Sequence, residues 1–276
     1  MVKIVTDSTA DLPADLAARM GITVIPALVM FGSTSYREGI DLTHDEFYTK
    51  LVESKIIPTT GAPPPGVYEE AYRRLAQETD EIISIHLAAN LSALYNVASV
   101  AAATVSGARI AIVDSEQITL GYGLIALAAA EAAQRGEPMT RILERIEGWK
   151  KQARVYAALD TLEYIHRGGR VNWVAAAIGT LMRIKPIVQV YEGQVQLVER
   201  VRTSARAEHR LMELIKDLGP LEKAVVLHTN APNRAERLAD HVQKLDPRWE
   251  RLIAPAGVII ASHAGPGAVG VACLLA

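Results

Sequence analysis

The chain has 276 residues, of which 50% are hydrophobic and 22% charged, so it can bury a full core and is not a disordered protein. Its 29 lysines and arginines against 31 acidic residues give a formal net charge of −2 with no basic block, which argues against binding to nucleic acid. The single cysteine, Cys273, cannot form an internal disulfide, and the N-terminal residues MVKIVTDSTA lack the apolar stretch of a signal peptide. We therefore expect a cytoplasmic protein.

The first half of the chain alternates short β-branched runs with segments of helical periodicity. Such alternation is typical of a mainly parallel sheet with helices on both faces. The long apolar segment 120–136 is interrupted by Glu131 and is too short to span a bilayer, so we predict a core helix and no insertion into the membrane. Strands are predicted at 2–7, 22–32, 81–87 and 109–115, and helices within 8–21, 43–54, 65–80, 90–105 and 119–136.

The pattern changes from about residue 150, where helices are mixed with a hairpin. Two β-rich runs flank Glu192 and Gly193, which is typical of a hairpin turn. We predict two α/β domains, 1–152 and 153–276, the second built on a mixed sheet with helices. Its predicted strands are 156–161, the hairpin 185–203, 223–229 and a final strand 256–263, and its helices are 162–171, 205–217 and 233–245, after a charged helix at 142–155.

The chain closes on ASHAGPGAVGVACLLA, in which Gly265, Gly267 and Gly270 have the G-x-G-x-x-G spacing of a dinucleotide-binding loop. A Rossmann loop is followed by a helix, a second strand and an acidic residue, for which the six residues after Gly270 leave no room. Two interpretations remain. The glycines follow a strand and open a helix whose N–H groups face an anion, or they serve a tight turn and close packing.

Several polar side chains are candidates for an anion site, and each also has a purely structural interpretation. His263 precedes the glycine loop and is either a ligand contact or a satisfied core histidine. Thr59 and Thr60 come before a proline cluster and Ser92 lies near a predicted helix start, where hydroxyls commonly cap helices. Arg170 ends the segment RGGR, which is either a solvated helix end or a holder of a carboxylate or phosphate.

The spacing of residues along the chain argues against two other kinds of site, a hydrolase nucleophile and a metal centre. Ser92 lacks the flanking glycines of a hydrolase nucleophile elbow. None of the seven histidines is three or four residues from another or at zinc-ligand spacing from Cys273, so we predict neither a metal site nor a cofactor.

Five ordered segments, VKIVTDSTADLP, PTTGAPPPG, NLSALY, LEYIHRGGRV and IIASHAGPGAVGVA, together resemble the DegV family over essentially the whole chain. The resemblance implies two α/β domains with a long-chain fatty acid in a tunnel between them. Some members of this family are the lipid-presenting subunit of a bacterial fatty acid kinase, which implies the kinase catalytic subunit as a partner and no catalytic residue in this chain.

The resemblance also implies which residues surround the lipid carboxylate or acyl phosphate. Thr60, Ser92, Arg170 and His263 match the family's head-group positions, and we add the amides of Gly265 and Gly267 as donors. The residues expected to support the entrance of the same lipid site are Asp7, Ser8, Thr59 and Gly61. The chain departs from the family pattern at six positions, and several hydroxyls are missing as a result. Gly61 and Ala62 stand in place of Ser and Gln, Ala88 and Ala89 in place of a pair of Ser, and Ala93 and Leu94 in place of Gly and Thr.

Three functions follow as hypotheses. The first is a carrier that holds a fatty acid and presents its carboxylate to a kinase. The second is a hydrolase or transferase acting on a small anionic substrate, with His263 as acid or base and Ser92 or Thr60 as nucleophile or orienting group. The third is a binding module for another protein, with a vestigial pocket.

Overall fold

A four-stranded parallel sheet lies in the N-terminal half, in the order β2 (Ile22–Ile25), β1 (Lys3–Asp7), β6 (Glu81–His86) and β7 (Arg109–Asp114). The computed structural model describes residues 1–54, 56–171, 184–245 and 250–276. The strands β1 and β6 are buried along nearly their whole length, as expected of a parallel sheet that is covered on both faces. The mainly parallel sheet predicted from the sequence is confirmed.

A small antiparallel sheet of order β4-β3-β5 lies beside it. Its strands are β3 (Leu28–Phe31), β4 (Thr34–Arg37) and β5 (Thr59–Gly61). The polar segment before the proline cluster is therefore an edge strand, because Thr60 pairs with Val29 and Gly61 with Leu28.

The C-terminal half forms a six-stranded mixed sheet of order β10-β9-β8-β13-β11-β12. The predicted mixed sheet is confirmed, since β11 pairs with β12 in parallel and the other pairs are antiparallel. The predicted hairpin is β9–β10, and Glu192 and Gly193 turn it with φ of 48° and 70°, the backbone that a two-residue turn needs. The strands are β8 (Ala153–Ala158), β9 (Lys185–Tyr191), β10 (Gln194–Val201), β11 (Leu221–His228), β12 (Ile253–Pro255) and β13 (Val269–Leu275).

Helices pack on these sheets. The helix α5 (Leu120–Gln134) is buried around nearly its whole circumference because it contacts β1 of the parallel sheet and β8 and β13 of the mixed sheet. None of the helices in the described ranges is long and apolar enough to cross a membrane. The helices are α1 (Ala14–Met20), α2 (His44–Glu53), α3 (Pro65–Leu75), α4 (Leu94–Ala102), α5 (Leu120–Gln134), α6 (Met139–Gln152), α7 (Glu163–Gly168), α8 (Ser204–Asp217), α9 (Pro232–Leu245) and α10 (Val258–Ala264).

The predicted final strand at 256–263 is wrong, because that segment forms helix α10 and the strand β13 follows the glycine loop instead. A short apolar run with β-branched residues does not distinguish a strand from a buried helix. The glycine loop was also expected to follow a strand and open a helix. That expectation is wrong, because the loop follows helix α10 and leads into strand β13. At the third glycine, Gly270, a Cβ would lie 2.6 Å from the carbonyl oxygen of Tyr156 on β8, so this glycine permits close strand pairing.

The two halves meet without a linker, since α6 ends at Gln152 and β8 begins at Ala153. One cluster of buried apolar side chains extends from the N-terminal half to Leu274. The division into domains 1–152 and 153–276 stays a prediction.

Candidate functional site

A cavity of about 210 Å³ lies between the two halves of the chain. Its walls come from β5, the loop after β6, strands of the mixed sheet and α10, and most of them are apolar side chains such as Leu91, Val188 and Ile259. Of the predicted site residues, the structure brings Thr60, Gly61, Ser92, Arg170 and His263 to this cavity. A largely apolar cavity with a few polar groups is typical of a small-molecule site.

Thr60 and His263 form a hydrogen-bonded pair in the cavity wall. The Thr60 hydroxyl lies 2.9 Å from the Nε2 atom of His263, although the two residues are 203 positions apart in sequence. Burial and the nearby charge of Arg170 lower the pKa of His263 to about 4, so the imidazole is neutral at pH 7. With the ring proton on Nε2, His263 donates to Thr60 and leaves the Thr60 hydroxyl proton for a ligand acceptor.

The segment Gly168–Arg170 packs against His263, and its last residue, Arg170, lines the cavity. A Cβ on Gly168 would lie closer than 3.0 Å to the His263 Nδ1 atom, so the ring packs directly on this glycine. Gly169 follows α7 as its C-terminal cap and lies in the left-handed region with φ of 67°, which favours glycine. The exposed Arg170 donates from Nη1 to the Gly168 carbonyl oxygen at 2.6 Å. Within the described ranges it forms no ion pair with a carboxylate, so its charge is available to an anion.

Ser92 lies in the turn before α4 and not in the helix itself, which begins at Leu94. Its Oγ atom accepts a hydrogen bond from the Leu94 N–H at 3.3 Å. An Oγ that accepts from the backbone keeps its own proton for another acceptor. Ser92 is therefore a second hydroxyl donor at the cavity.

Asp7 does not line the cavity but anchors a buried hydrogen-bonded network behind it. Its carboxylate accepts from the Tyr122 hydroxyl at 2.7 Å and from the Thr9 hydroxyl, and its Oδ2 atom lies 3.0 Å from the Nδ1 atom of His86. The other ring nitrogen of His86 lies 2.7 Å from the Ser84 hydroxyl. The hydrogen-bonded connection from Ser84 through His86 to Asp7 resembles a hydrolase triad. All three are fully buried outside the cavity, so a substrate does not reach them.

Two more carboxylates, those of Glu38 and Asp11, accept hydrogen bonds in the interior, and neither was predicted from the sequence. The Ser8 hydroxyl donates to Glu38 at 2.5 Å, and the Thr119 hydroxyl donates to Asp11 at 2.5 Å. Burial raises the pKa of Asp11 well above its usual range, and the nearby Glu38 raises it further. Burial likewise raises the pKa of Glu38, to about 7, although hydrogen bonds from the Ile259 N–H and the Ser8 hydroxyl oppose that shift. Thr119 lines the cavity, whereas Ser8 does not.

The glycine loop has a structural role in this fold. The Gly265 N–H donates to the Ala261 carbonyl oxygen at 2.9 Å and the Gly267 N–H donates to the Thr229 carbonyl oxygen at 2.6 Å. Neither glycine lines the cavity. Their positive φ angles of 73° and 87° and the close approach of Tyr164 to Gly265 explain the residue type. Both amides are thus already engaged within the protein.

Thr59 also lies outside the cavity lining. Its neighbour on β5, Thr60, is the threonine that faces the cavity. Because side chains alternate along a strand, only one of the two adjacent threonines can lie on the cavity side of β5. The predicted supporting residues therefore separate into Gly61, which lines the cavity, and Asp7, Ser8 and Thr59, which do not.

Comparison with known proteins identifies close relatives over the full length. The DegV family model, described as "Uncharacterised protein, DegV family", matches residues 1–275. A DegV domain-containing protein of Streptomyces coelicolor is 36% identical, covering 98% of this chain and 97% of the relative. The fatty acid binding DegV family protein of Thermus thermophilus has a TM-score of 0.93 at 30% identity, covering 100% of this chain and 99% of that one. DegV of Bacillus subtilis, a fatty acid binding protein, has a TM-score of 0.91 at 33% identity, covering 99% of each chain.

Proposed function

The chain belongs to the DegV family, and from this premise we propose that it binds a long-chain fatty acid in the cavity between its two halves. The observation that carries the proposal is an apolar cavity whose wall includes Thr60, Ser92, Arg170 and His263. Two relatives of at least 30% identity with the same fold are fatty acid binding proteins.

The apolar wall supplies the driving force for the tail. Burial of about fifteen methylenes at about 0.8 kcal/mol each gives a gross gain of about 12 kcal/mol. Association costs about 4 to 15 kcal/mol, so tight binding requires a preformed cavity. The structure contains such a cavity, of about 210 Å³.

The carboxylate requires donors, and only part of the cavity wall offers them. Thr9 and Thr119 also line the cavity, but their hydroxyls are engaged with the buried carboxylates of Asp7 and Asp11. The hydroxyl of Thr60 is available in the tautomer described above. We place the fatty acid carboxylate beside Thr60, Ser92 and Arg170, because these lining residues offer two hydroxyls and one positive charge.

We further propose that the carrier acts in the cytoplasm and presents the carboxylate to the catalytic subunit of a fatty acid kinase. Arg170 is exposed at the edge of the cavity, so its charge is accessible both to the bound carboxylate and to an approaching partner. An acyl phosphate needs a positive charge as much as a carboxylate does. The proposal assigns the phosphoryl transfer to the partner and no catalytic residue to this chain.

Hydrolysis by a Thr60–His263 pair is the second candidate, because their 2.9 Å separation suits a nucleophile and its base. The Nδ1 atom of His263 is buried and has no hydrogen-bond partner in the described ranges, so the third group that would orient the base is missing. Turnover of a short acyl ester that is abolished by His263→Ala supports this candidate over the carrier.

The binding proposal is tested with a variant that fills the cavity. Leu91 is a half-buried loop residue in the cavity wall, so Leu91→Trp places a large ring in the cavity without disturbing a strand or helix. Val100→Trp on the exposed side of α4, where Val100 is 59% exposed, is the matched control. We expect titration with a dansyl-labelled undecanoic acid to show binding by the parent and by Val100→Trp and none by Leu91→Trp. Equal affinity of all three contradicts the proposed location.

The kinase step is tested separately, by adding palmitate, ATP and a purified fatty acid kinase catalytic subunit and measuring acyl phosphate. We expect product with the parent and a marked decrease with Arg170→Met. Absence of acyl phosphate with a fully loaded parent contradicts the presentation step and leaves the binding proposal standing.

A further inference from the structure

Two buried carboxylates meet at the start of α10, behind the cavity wall. Glu38 accepts a hydrogen bond from the Ile259 N–H at 2.9 Å, and the Val258 N–H also bonds to it. The Gly257 N–H bonds to Asp11 on the other side. A Cβ on Gly257 would lie 2.5 Å from Asp11 Oδ1 and 2.5 Å from Glu38 Oε1, so both carboxylates close on this one residue.

This geometry has an electrostatic consequence. Because both oxygens lie 2.5 Å from the same point, they are within about 5 Å of each other. Two carboxylates that close in a buried setting do not both ionise at neutral pH. The Oδ1 atom of Asp11 is buried and has no other hydrogen-bond partner in the described part of the chain, so it is the free acceptor for a shared proton.

We infer that Asp11 and Glu38 share one proton and act as positioning residues that hold α10 against the ligand cavity. The inference rests on the proposed fatty acid binding and concerns how pH regulates ligand affinity at that same site. The two residues are not part of the cavity lining and act through the helix that they hold.

The helix α10 carries much of the cavity wall. Ile259, Ile260 and His263 all line the cavity, and His263 is the partner of Thr60. A shift of this helix therefore changes both the apolar wall and the hydrogen bond at the polar end. Thr119 forms a second connection, since it lines the cavity while its hydroxyl donates to Asp11.

Strained backbone marks the same place. Asp11 has φ of 54° and Thr119 has φ of 48°, and a β-branched residue rarely adopts a positive φ. Such strain persists where the surrounding structure fixes it, and it concentrates at functional sites. The hydrogen bond between these two residues is 2.5 Å long.

The pair makes ligand binding depend on pH. When the shared proton is lost as pH rises, two negative charges repel each other next to the start of α10. Other groups face the pair: the Asp7 carboxylate adds to the repulsion, Tyr48 and Tyr122 are phenols whose raised pKa values keep them neutral, and His86 is paired with Asp7. We therefore expect affinity for the anionic ligand to fall as pH rises through about 7, from about pH 6 to about pH 8.

The experiment compares Glu38→Gln with Glu38→Leu. The amide of Gln keeps an oxygen for the Ile259 N–H and removes the negative charge that faces Asp11, whereas Leu removes the hydrogen-bond acceptor as well as the charge. The exposed Glu144→Gln on α6 is the matched control, with a side chain 68% exposed. Each variant is titrated with the dansyl-labelled undecanoic acid across this pH range, and amide hydrogen exchange is measured at one pH for Val258 and Ile259.

We expect the parent and Glu144→Gln to lose affinity as pH rises. Glu38→Gln should retain the low-pH affinity at every pH, and Glu38→Leu should bind about tenfold more weakly throughout. Exchange at Val258 and Ile259 should accelerate in Glu38→Leu only. Asp11→Asn, which tolerates a positive φ, should behave as Glu38→Gln does.

Two results overturn the inference. One is unchanged amide hydrogen exchange and unchanged ligand affinity in Glu38→Leu, which would show that Glu38 does not position α10. The other is a Glu38→Gln variant whose affinity has the parent's pH dependence, which would show that Asp11 and Glu38 do not share a proton. If the parent does not bind the probe, the proposed function fails, and the exchange comparison still decides whether Glu38 holds α10.

Discussion

Gly168 gives a quantitative test of how the polar end of the cavity is built. It is the last residue of α7, and an added Cβ would lie closer than 3.0 Å to His263 Nδ1 and 3.2 Å from Cε1. Ordinary contacts begin at 3.4 Å, so Gly168→Ala requires the ring to move by about 1 Å. The ring is held on its other edge by the 2.9 Å hydrogen bond to Thr60, so it cannot move without disturbing that bond.

Gly168→Ala is expected to lower both the free energy of unfolding and the affinity for the fatty acid. Overpacking destabilises by about 1 to 3 kcal/mol, which outweighs the gain of about 0.5 to 1 kcal/mol from replacing a helical glycine by alanine. Loss of the Thr60 hydrogen bond costs about 1 kcal/mol, which corresponds to a decrease in fatty acid affinity of roughly fivefold.

The assays are urea unfolding and titration with the dansyl-labelled undecanoic acid. Gly148→Ala is the matched control, since Gly148 lies in α6 with no atom within 4 Å of the added Cβ. We expect Gly148→Ala to increase stability slightly and to leave affinity unchanged. Equal behaviour of the two variants would refute the reasoning.

Three further predictions concern charge and protonation. The folded-state pKa of Glu38 is raised to about 7, so the folded protein holds a proton that the unfolded chain has lost. The free energy of unfolding should therefore fall as pH rises from about 4.5 to about 7, by up to about 3 kcal/mol, and urea titrations of Glu38→Gln should show a smaller slope, because burial still raises the pKa of Asp11. Arg170→Met should weaken binding of a dansyl-labelled fatty acid about tenfold but not that of the corresponding fatty alcohol, while Arg167→Met, whose arginine is paired with Glu163, should change neither. An effect on the alcohol contradicts a charge role. Because the pKa of His263 is lowered to about 4, NMR titration of its ring should show a neutral imidazole from pH 8 down to about 5, and protonation near 6.5 would disprove its burial.

Local sequence signals predicted most of the fold. The helix predicted within 43–54 is α2, and Thr43 begins it with a capping box to Glu46. The pair Glu192 and Gly193 correctly marked the β9–β10 hairpin. Each of these signals depends on residues that are close together in sequence.

The failure at α10 has a physical explanation. The segment Val258–Ala264 is apolar and β-branched, and all its buried residues suit either a strand or a core helix. What selects the helix is the packing against β3, β5 and α7 and the carboxylates at its start, all distant in sequence.

The candidate site was accessible to sequence analysis only through resemblance to a family. Nothing local connects Thr60 with His263, which meet across 203 positions. Glu38 and Asp11 were missed because a buried carboxylate in a loop looks like a solvated one in sequence, and only the fold brings both to Gly257.

Mass spectrometry of the purified protein, first native and then after organic extraction, tests the central claim most directly. The account predicts a stoichiometric added mass of a few hundred daltons that resolves into a fatty acid, or its appearance when palmitate is supplied. A clean protein mass that stays unchanged after addition of fatty acid would contradict the proposal that this cavity binds a lipid.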